Sequence, residues 1–435
     1  VSYDPTPSPQ QLPVFNLAPT HRPARVHAAT PSDDLAVIVA DAVRDHGRIH
    51  VVGAGHGLAA PIEGGLALLT GGLRDVQVDL AARTARVRAG TRWSEVLAAT
   101  TGHGLAPVCG SAPGVGVVGF LLGGGLGPVG RTVGWGSDHA RSFEMVTATG
   151  HTVHASADSH PDLYWALRGG NLAPGVVTAV ELDLLPLSTL YGGGLFFAAS
   201  DADTVLAGYA SWAAGLPDAV TSSCALLRLP DLGSVPPPLR GRFVVHVRVA
   251  VVGVGDPASY VGPLRALAPA IVDTVAEMPY AALGAIHADP SEPMPVLEGG
   301  VLLREVDAGT AAALLDVVGP QTGAPFAAVE VRQLGGALAA PVHAPDAVVG
   351  REAGFSLFAV SAPAPPLFTE VVPAAARRLF DAMAPWATGR VQPNFTGGLN
   401  RPAALAHAWE PDVASRLHEV WRSYDPTGVF TGLHT

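Results

Sequence analysis

The chain has 435 residues, 48% hydrophobic and only 14% charged, a balance that suits a globular protein with more than one core and excludes long disordered stretches. A net charge of -11 argues against nucleic acid or an anionic membrane surface as partner, and all the positive charge is arginine, because the sequence holds no lysine. Two cysteines, Cys109 and Cys224, cannot make a disulfide framework or a thiolate metal site and fit a reducing, cytoplasmic compartment.

In chain order, "VSYDPTPSPQQLP" has neither a basic start nor an apolar segment, so no export signal is expected. "PSDDLAVIVADAVRDHG" reads as an amphipathic helix opened by a Ser/Asp cap and closed by Gly47. "RIHVVGAG", "GGLALLTGGL", "VQVDL" and "ARTARVRAG" read as short strands between glycine turns. "TRWSEVLAATTGHG" sets Trp93, Val96, Leu97 and Thr100 on one helical face and stops at Gly102. From Val96 to Gly130 there is no Asp, Glu or Arg, yet the scattered glycines and prolines favour turns and close backbone approach over one membrane-spanning helix.

"VVTAVELDLLPL", Val176 to Leu187, is an alternating strand that ends the glycine-rich part. Beyond it, strands such as "GRFVVHVRVAVVGVG" and "PFAAVEVRQLGGAL" alternate with helical patterns such as "AGTAAALLDVVG". The expected organisation is α+β throughout: one unit over 1–187, a second over 188–385, and a C-terminal segment over 386–435. That segment carries the helix "EPDVASRLHEVWRS", which Asp425 and Pro426 must end.

Two glycine-rich stretches carry the chemistry. "GAGHG" follows a strand as a dinucleotide fingerprint would, but Gly53, Gly55 and Gly57 alternate and Leu58 takes the place of the third required glycine. Pro61 and the pair Gly64 and Gly65 would break the helix that a Rossmann turn needs, so that reading fails. The second stretch, "CGSAPGVGVVGFLLGGGLGPVGR", lets successive backbone N–H groups approach a phosphate or pyrophosphate without side-chain obstruction.

The order of these stretches, followed by "PDLYWALRGG", "GVVTAVELDLLPL" and "RLHEVWRSYDPTGVF", resembles the flavin-binding family of vanillyl-alcohol oxidase, p-cresol methylhydroxylase (PCMH) and the berberine-bridge enzymes. The likeness covers roughly residues 45–187 and 410–430 and, in the middle of the chain, "VEVRQLGGAL". It implies a two-part PCMH-type FAD-binding domain with an α+β substrate domain whose antiparallel sheet is covered by helices. It also implies FAD held by Gly53, Ala54, Gly55, His56, Gly57, Ser111, Ala112, Val115, Gly116, Val117, Gly119, Gly124, Gly125, Gly127 and Val177.

In that family the loop histidine is bonded to the flavin 8α-methyl, so the resemblance makes His56 the covalent anchor. Many relatives add a cysteine linkage at the position of Ala112, and Cys109 lies three residues away from that register, so a single linkage is expected. Val115 stands where the family controls oxygen access, and its small size goes with oxidase behaviour. "LRGGNLAPGVVT" departs from the family's richer glycine pattern at Asn171 to Pro174, which implies locally altered backbone contacts to the cofactor.

The substrate side departs further. The family's tyrosine, two residues before Asn394, is replaced by Gln392, which cannot act as a base. On "VEVRQLGG", Glu330 and Arg332 share one strand face and Gln333 takes the other, so Glu330 can accept a proton while Arg332 holds it ionised or binds an anionic substrate group. His139, Tyr280 and His407 are further candidates without a motif. The resulting expectation is an FAD-dependent oxidase of a bulky, secondary-metabolite-like small molecule, with molecular oxygen as second substrate, no nucleic-acid or membrane partner, no metal, and a monomer or homodimer. The alternatives are a flavin monooxygenase and a redox-neutral cyclase with structural FAD.

Overall fold

The computed structural model of the chain describes residues 12–45, 47–341, 343–400 and 404–430. Strands β1 (Arg25–Ala28), β2 (Ile49–Val52) and β3 (Leu66–Leu69) form a small parallel sheet in the order β1-β3-β2. Parallel strands need a crossover, and helix α1 (Leu35–Arg44) supplies it. Its N-cap Asp34 accepts the N–H groups of Ala36 and Val37, and Leu35, Val39 and Ala42 bury against Ile49, Leu66 and Leu68. A second, antiparallel sheet has the order β4-β5-β8-β6-β7, from β4 (Val76–Asp79), β5 (Thr84–Arg88), β6 (Ala140–Thr147), β7 (Thr152–Ser156) and β8 (Gly175–Asp183).

Between β5 and β6 lie α2 (Trp93–Thr100), α3 (Val117–Leu122) and α4 (Gly130–Val133), and α5 (Pro161–Leu167) precedes β8. As the 3.6-residue spacing requires, α2 buries Trp93, Val96, Leu97 and Thr100. Helix α3 is an addition to the sequence reading: six residues between Gly116 and Gly123 coil once the surrounding core takes up Phe120 and Leu121. No helix among the described residues is long and apolar enough to cross a membrane.

The rest of the chain builds one large antiparallel sheet with the path β12-β9-β11-β10-β15-β16-β14. Its strands are β9 (Thr189–Ala198), β10 (Val220–Arg228), β11 (Phe243–Val251), β12 (Ala270–Asp273), β13 (Ala276–Pro279), which also pairs with β9, β14 (Glu298–Leu303), β15 (Phe326–Gln333) and β16 (Phe355–Ser361). Helices α6 (Ala202–Ala213), α8 (Ala308–Val318) and α9 (Val371–Met383) cover one face, and α7 (Ala258–Arg265) packs on α6. On α9 the stripe Val372, Ala375, Ala376, Leu379 and Met383 turns inward, and each large apolar side chain so buried is worth about 1.5–3 kcal/mol.

Alternation along the strands decides what the uncovered face carries. Val247, Val249, Cys224, Val329 and Val331 point to the helices, so His246, Arg248, Ser223, Glu330 and Arg332 point away from them, toward the glycine-rich loops. The chain closes with α10 (Pro411–Tyr424), which returns to the first half: Leu417 and Val420 join the core around α5, and Trp421 packs in the cluster of Ile49 and Leu66.

Candidate active site

The turn Gly53–Gly57 leaves β2 with its backbone paired to the preceding segment. Phe15 N–H donates to Ala54 O at 3.1 Å, and Asn16 N–H to Gly55 O at 3.3 Å. The Phe15 ring stacks on His56 with centroids 4.1 Å apart. Gly55 has φ +70°, and a Cβ there would overlap the Val14 side chain. Gly55→Ala therefore carries the left-handed penalty of about 1–2 kcal/mol on top of a clash that pushes the turn off the segment. We expect FAD affinity to fall more than roughly tenfold, measured by flavin titration of the apoprotein; unchanged affinity would show that this turn does not hold the cofactor.

The second loop lies along the start of α2. Trp93 N–H donates to Val115 O (3.1 Å), Ser94 N–H to Pro113 O (2.9 Å), Val115 N–H to Ala112 O (3.1 Å) and Val117 N–H to Thr91 O (3.0 Å). This brings it against the first loop: a Cβ on Gly116 would stand 3.6 Å from Ala54 Cβ, and one on Gly114 4.0 Å from His56 Cε1, while Gly57 and Gly119 face open space. Gly124 and Gly125 accept the N–H groups of Ser137 (2.9 Å) and Gly136 (2.8 Å), Gly127 packs on the Cys109 carbonyl, and Val177 is buried on β8. Asn171, in left-handed conformation, donates its N–H to Leu122 O at 2.7 Å.

His56 is mostly buried, and burial together with the Arg92 charge lowers its pKa to about 4 against the pull of Asp289. The ring is thus neutral at ordinary pH, and its Nδ1 is buried without a hydrogen-bond partner among the described residues. Cys109 is fully buried, and burial pushes its thiol up to about 12, so it stays protonated.

Glu330 sits between two arginines. Arg248 Nη1 is 2.6 Å from its Oε1 and Arg332 Nε 2.7 Å from its Oε2, with His287 Nε2 3.5 Å from Oε1. Burial alone would raise this carboxyl, but Arg332 and Arg248 outweigh it and hold Glu330 well below the usual carboxylate range. Glu330 is therefore firmly ionised and, in this arrangement, a weak proton acceptor. Gln333, on the opposite face, donates to Ala213 O at 2.6 Å and accepts from Ser222.

The segment Tyr280–Asp289 joins these features. Ser111 donates its hydroxyl to Asp289 at 2.6 Å on the side of the His56 loop, and His287, two residues earlier, lies beside Glu330. Gln392 donates to Gly123 O at 2.5 Å and Asn394 to Phe120 O at 2.9 Å, so both amides are engaged in pinning the C-terminal segment to the end of α3. Their neighbour Phe395 reaches the charged face, where Arg332 lies 5.0 Å over its ring. Of the unmotivated candidates, His139 is paired with Val133 O (2.8 Å), Tyr280 donates to Pro107 O (2.7 Å), and His407 lies in an exposed turn. Arg248, His287 and Asp289 were not foreseen. The signal available for the first was "HVRVA", two polar residues at period two inside an otherwise apolar strand.

Residues 23–156 match the family described as FAD binding domain. Among solved structures, the whole chain is similar to 6-hydroxy-D-nicotine oxidase from Arthrobacter nicotinovorans, with 25% identity and a TM-score of 0.79 over 96% of this chain and 92% of that one. The chain has the PCMH-type FAD oxidase fold, and residues 23–156 are the part that matches the FAD binding domain. A berberine-bridge-enzyme-like protein of Physcomitrella patens superposes with a TM-score of 0.82 at 19% identity, over 97% and 93% of the two chains. In sequence, an FAD-dependent monooxygenase of Penicillium roqueforti is 36% identical over 173 residues, 40% of this chain and 33% of that protein. (R)-6-hydroxynicotine oxidase of Paenarthrobacter nicotinovorans is 34% identical over 175 residues, 39% and 38% of the two. The chain spans about a third of the length of the curated relatives it matches.

The two loops fit this cofactor. Their glycines leave backbone open where side chains would stand, and the orphaned Nδ1 of His56 is the kind of buried polar atom that a bond to a ligand would satisfy.

Proposed function

We propose that the chain is an FAD-dependent oxidoreductase, an oxidase of a bulky small molecule, with FAD linked through His56 alone. The observation that carries the reading is the joining of two glycine-rich loops around a neutral His56 to a buried charged sheet face through the single segment Tyr280–Asp289. FAD, when bound, supplies the hydride acceptor and passes the electrons on to molecular oxygen, giving hydrogen peroxide. The protein residues do the rest. Gly53, Ala54, Gly55, Gly57, Ser111, Gly116, Val117, Gly119, Gly124, Gly125, Gly127 and Val177 shape the cradle, with Ala112 where a second linkage would need a thiol and Cys109 protonated and buried.

Val115, with its side chain packed against the core, leaves a small surface at the second loop and suits oxygen access. Glu330 takes the substrate proton once Arg332 is drawn off it, while Arg332 orients the substrate, and Gln392 and Asn394 set the C-terminal wall through Phe395. Residues 1–187 and 386–435 form the cofactor unit in this reading, and 188–385 the substrate unit, in a chain that works as a monomer or homodimer.

The test is anaerobic. A substrate of the oxidase bleaches the flavin at about 450 nm and, on admission of air, yields roughly one peroxide per product. The 36% likeness to a monooxygenase favours a second outcome, oxygen incorporated into product with little peroxide. Turnover with the flavin spectrum unchanged would overturn both.

A further inference from the structure

The charges on the sheet face turned away from the helices do not balance. Arg248 and Arg332 are opposed by the single carboxylate of Glu330, and His287 and His246 are held neutral beside them, their pKa values lowered by burial and by Arg248. No other acid among the described residues pairs with this cluster, so one guanidinium charge is left over among largely buried groups. Two guanidinium groups sharing one carboxylate leave an uncompensated positive charge that is costly to bury, and a counter-ion would complete a site of this kind.

The surplus charge is aimed at a small cavity between the Leu126–Gly127–Pro128 turn and β10, β11 and β15. Arg332 lines it and gives only Nε to Glu330; its two terminal nitrogens make no hydrogen bond among the described residues. The Phe395 ring at 5.0 Å holds the guanidinium plane in place. Around the same cavity, Ser223 Oγ and His287 Nδ1 are buried and lack hydrogen-bond partners among the described residues. An open guanidinium fork beside an unpaired hydroxyl and an unpaired imidazole is the donor set of a planar anion, bound in bidentate fashion.

We propose that this cavity binds a carboxylate of the substrate, with Arg332 as the fork, Arg248 as the second charge and Ser223 as the hydroxyl donor. The inference rests on the reading of the charged face as the substrate wall and narrows the substrate to a carboxylate-bearing molecule. It also assigns a sequence of events: the incoming anion draws Arg332 away from Glu330 and, by removing the larger of the two charge effects that hold it ionised, raises the basicity of the carboxylate toward that of a proton acceptor.

Benzoate and its neutral counterpart benzamide are the probes, titrated calorimetrically into the protein, with the flavin colour recorded separately. We expect benzoate to bind at least roughly tenfold more tightly than benzamide. Arg332→Gln should remove that preference by about 10- to 100-fold, and Ser223→Ala should weaken benzoate several-fold. Glu330→Gln, which removes the competing negative charge, should tighten it. Benzoate bound no better than benzamide by the unaltered protein overturns the proposal without reliance on any variant, and so does a preference that survives Arg332→Gln. A yellow protein indifferent to benzoate ends the carboxylate pocket and leaves the flavin reading standing. A colourless protein that prefers benzoate through Arg332 keeps the pocket and ends the flavin reading.

Discussion

His56→Ala releases its flavin on acid precipitation: the pellet of the unaltered protein stays yellow, while that of the variant turns white and the colour passes to the supernatant. The expectation follows from three facts about one ring. It lies in the loop that faces the second glycine stretch, its Nδ1 has no partner among the described residues, and burial keeps it unprotonated and nucleophilic down to about pH 4. An imidazole substituent withdraws electrons from the flavin ring, so its loss lowers the potential. At roughly 30 mV per factor of ten for a two-electron couple, a fall of 30–60 mV corresponds to about 10- to 100-fold weaker driving force for hydride acceptance, read by anaerobic reduction kinetics. Colour that stays with the precipitated variant would mean that the bond runs through another residue.

The same ring gives the prediction a pH dependence. Its folded pKa of about 4 lies below its ordinary value of 6.5, so between these two values the unfolded chain binds the extra proton. The contribution of a neutral His56 to stability is complete above pH 6.5 and is lost as pH falls toward 4. In apoprotein carrying His56→Ala this part of the acid sensitivity disappears.

Arg168→Ala destabilises the fold by about 3–5 kcal/mol, the scale for stripping one partner from a buried ion network, seen as a lowered urea-unfolding free energy. Arg168 is completely buried and sits with Asp138, Asp346 and Arg351 in a group of two positive and two negative charges. Its removal leaves a net buried negative charge and three carbonyls, those of Ser137, Ala344 and Pro345, without their donor. The consequence reaches the cofactor loop, because the strip Trp135–Ser137, held by Asp138 at the Trp135 N–H and by Arg168 at the Ser137 carbonyl, is bonded to Gly124 and Gly125. FAD affinity should fall with stability. A variant within about 1 kcal/mol of the parent would show that Arg351 alone neutralises both acids.

Local chemistry was readable without coordinates wherever it depends on neighbours in the chain. The face of α2 that carries Trp93, Val96, Leu97 and Thr100, the cap and stripe of α1, the failure of the Rossmann spacing at Leu58 and the opposite faces of Glu330 and Gln333 follow from residue periods and backbone freedom alone. Only the tertiary structure decided what Glu330 is. Its partners Arg248 and His287 come from β11 and from the segment after β13, 82 and 43 residues away in ways that no period encodes, and the Arg248 charge, added to that of Arg332, turns a candidate base into a clamped counter-ion. The same holds for Gln392 and Asn394, whose amides read as site groups and prove to be engaged with the α3 backbone. A strand's alternation says which way a side chain points; the charge it meets there depends on which distant strand lies alongside.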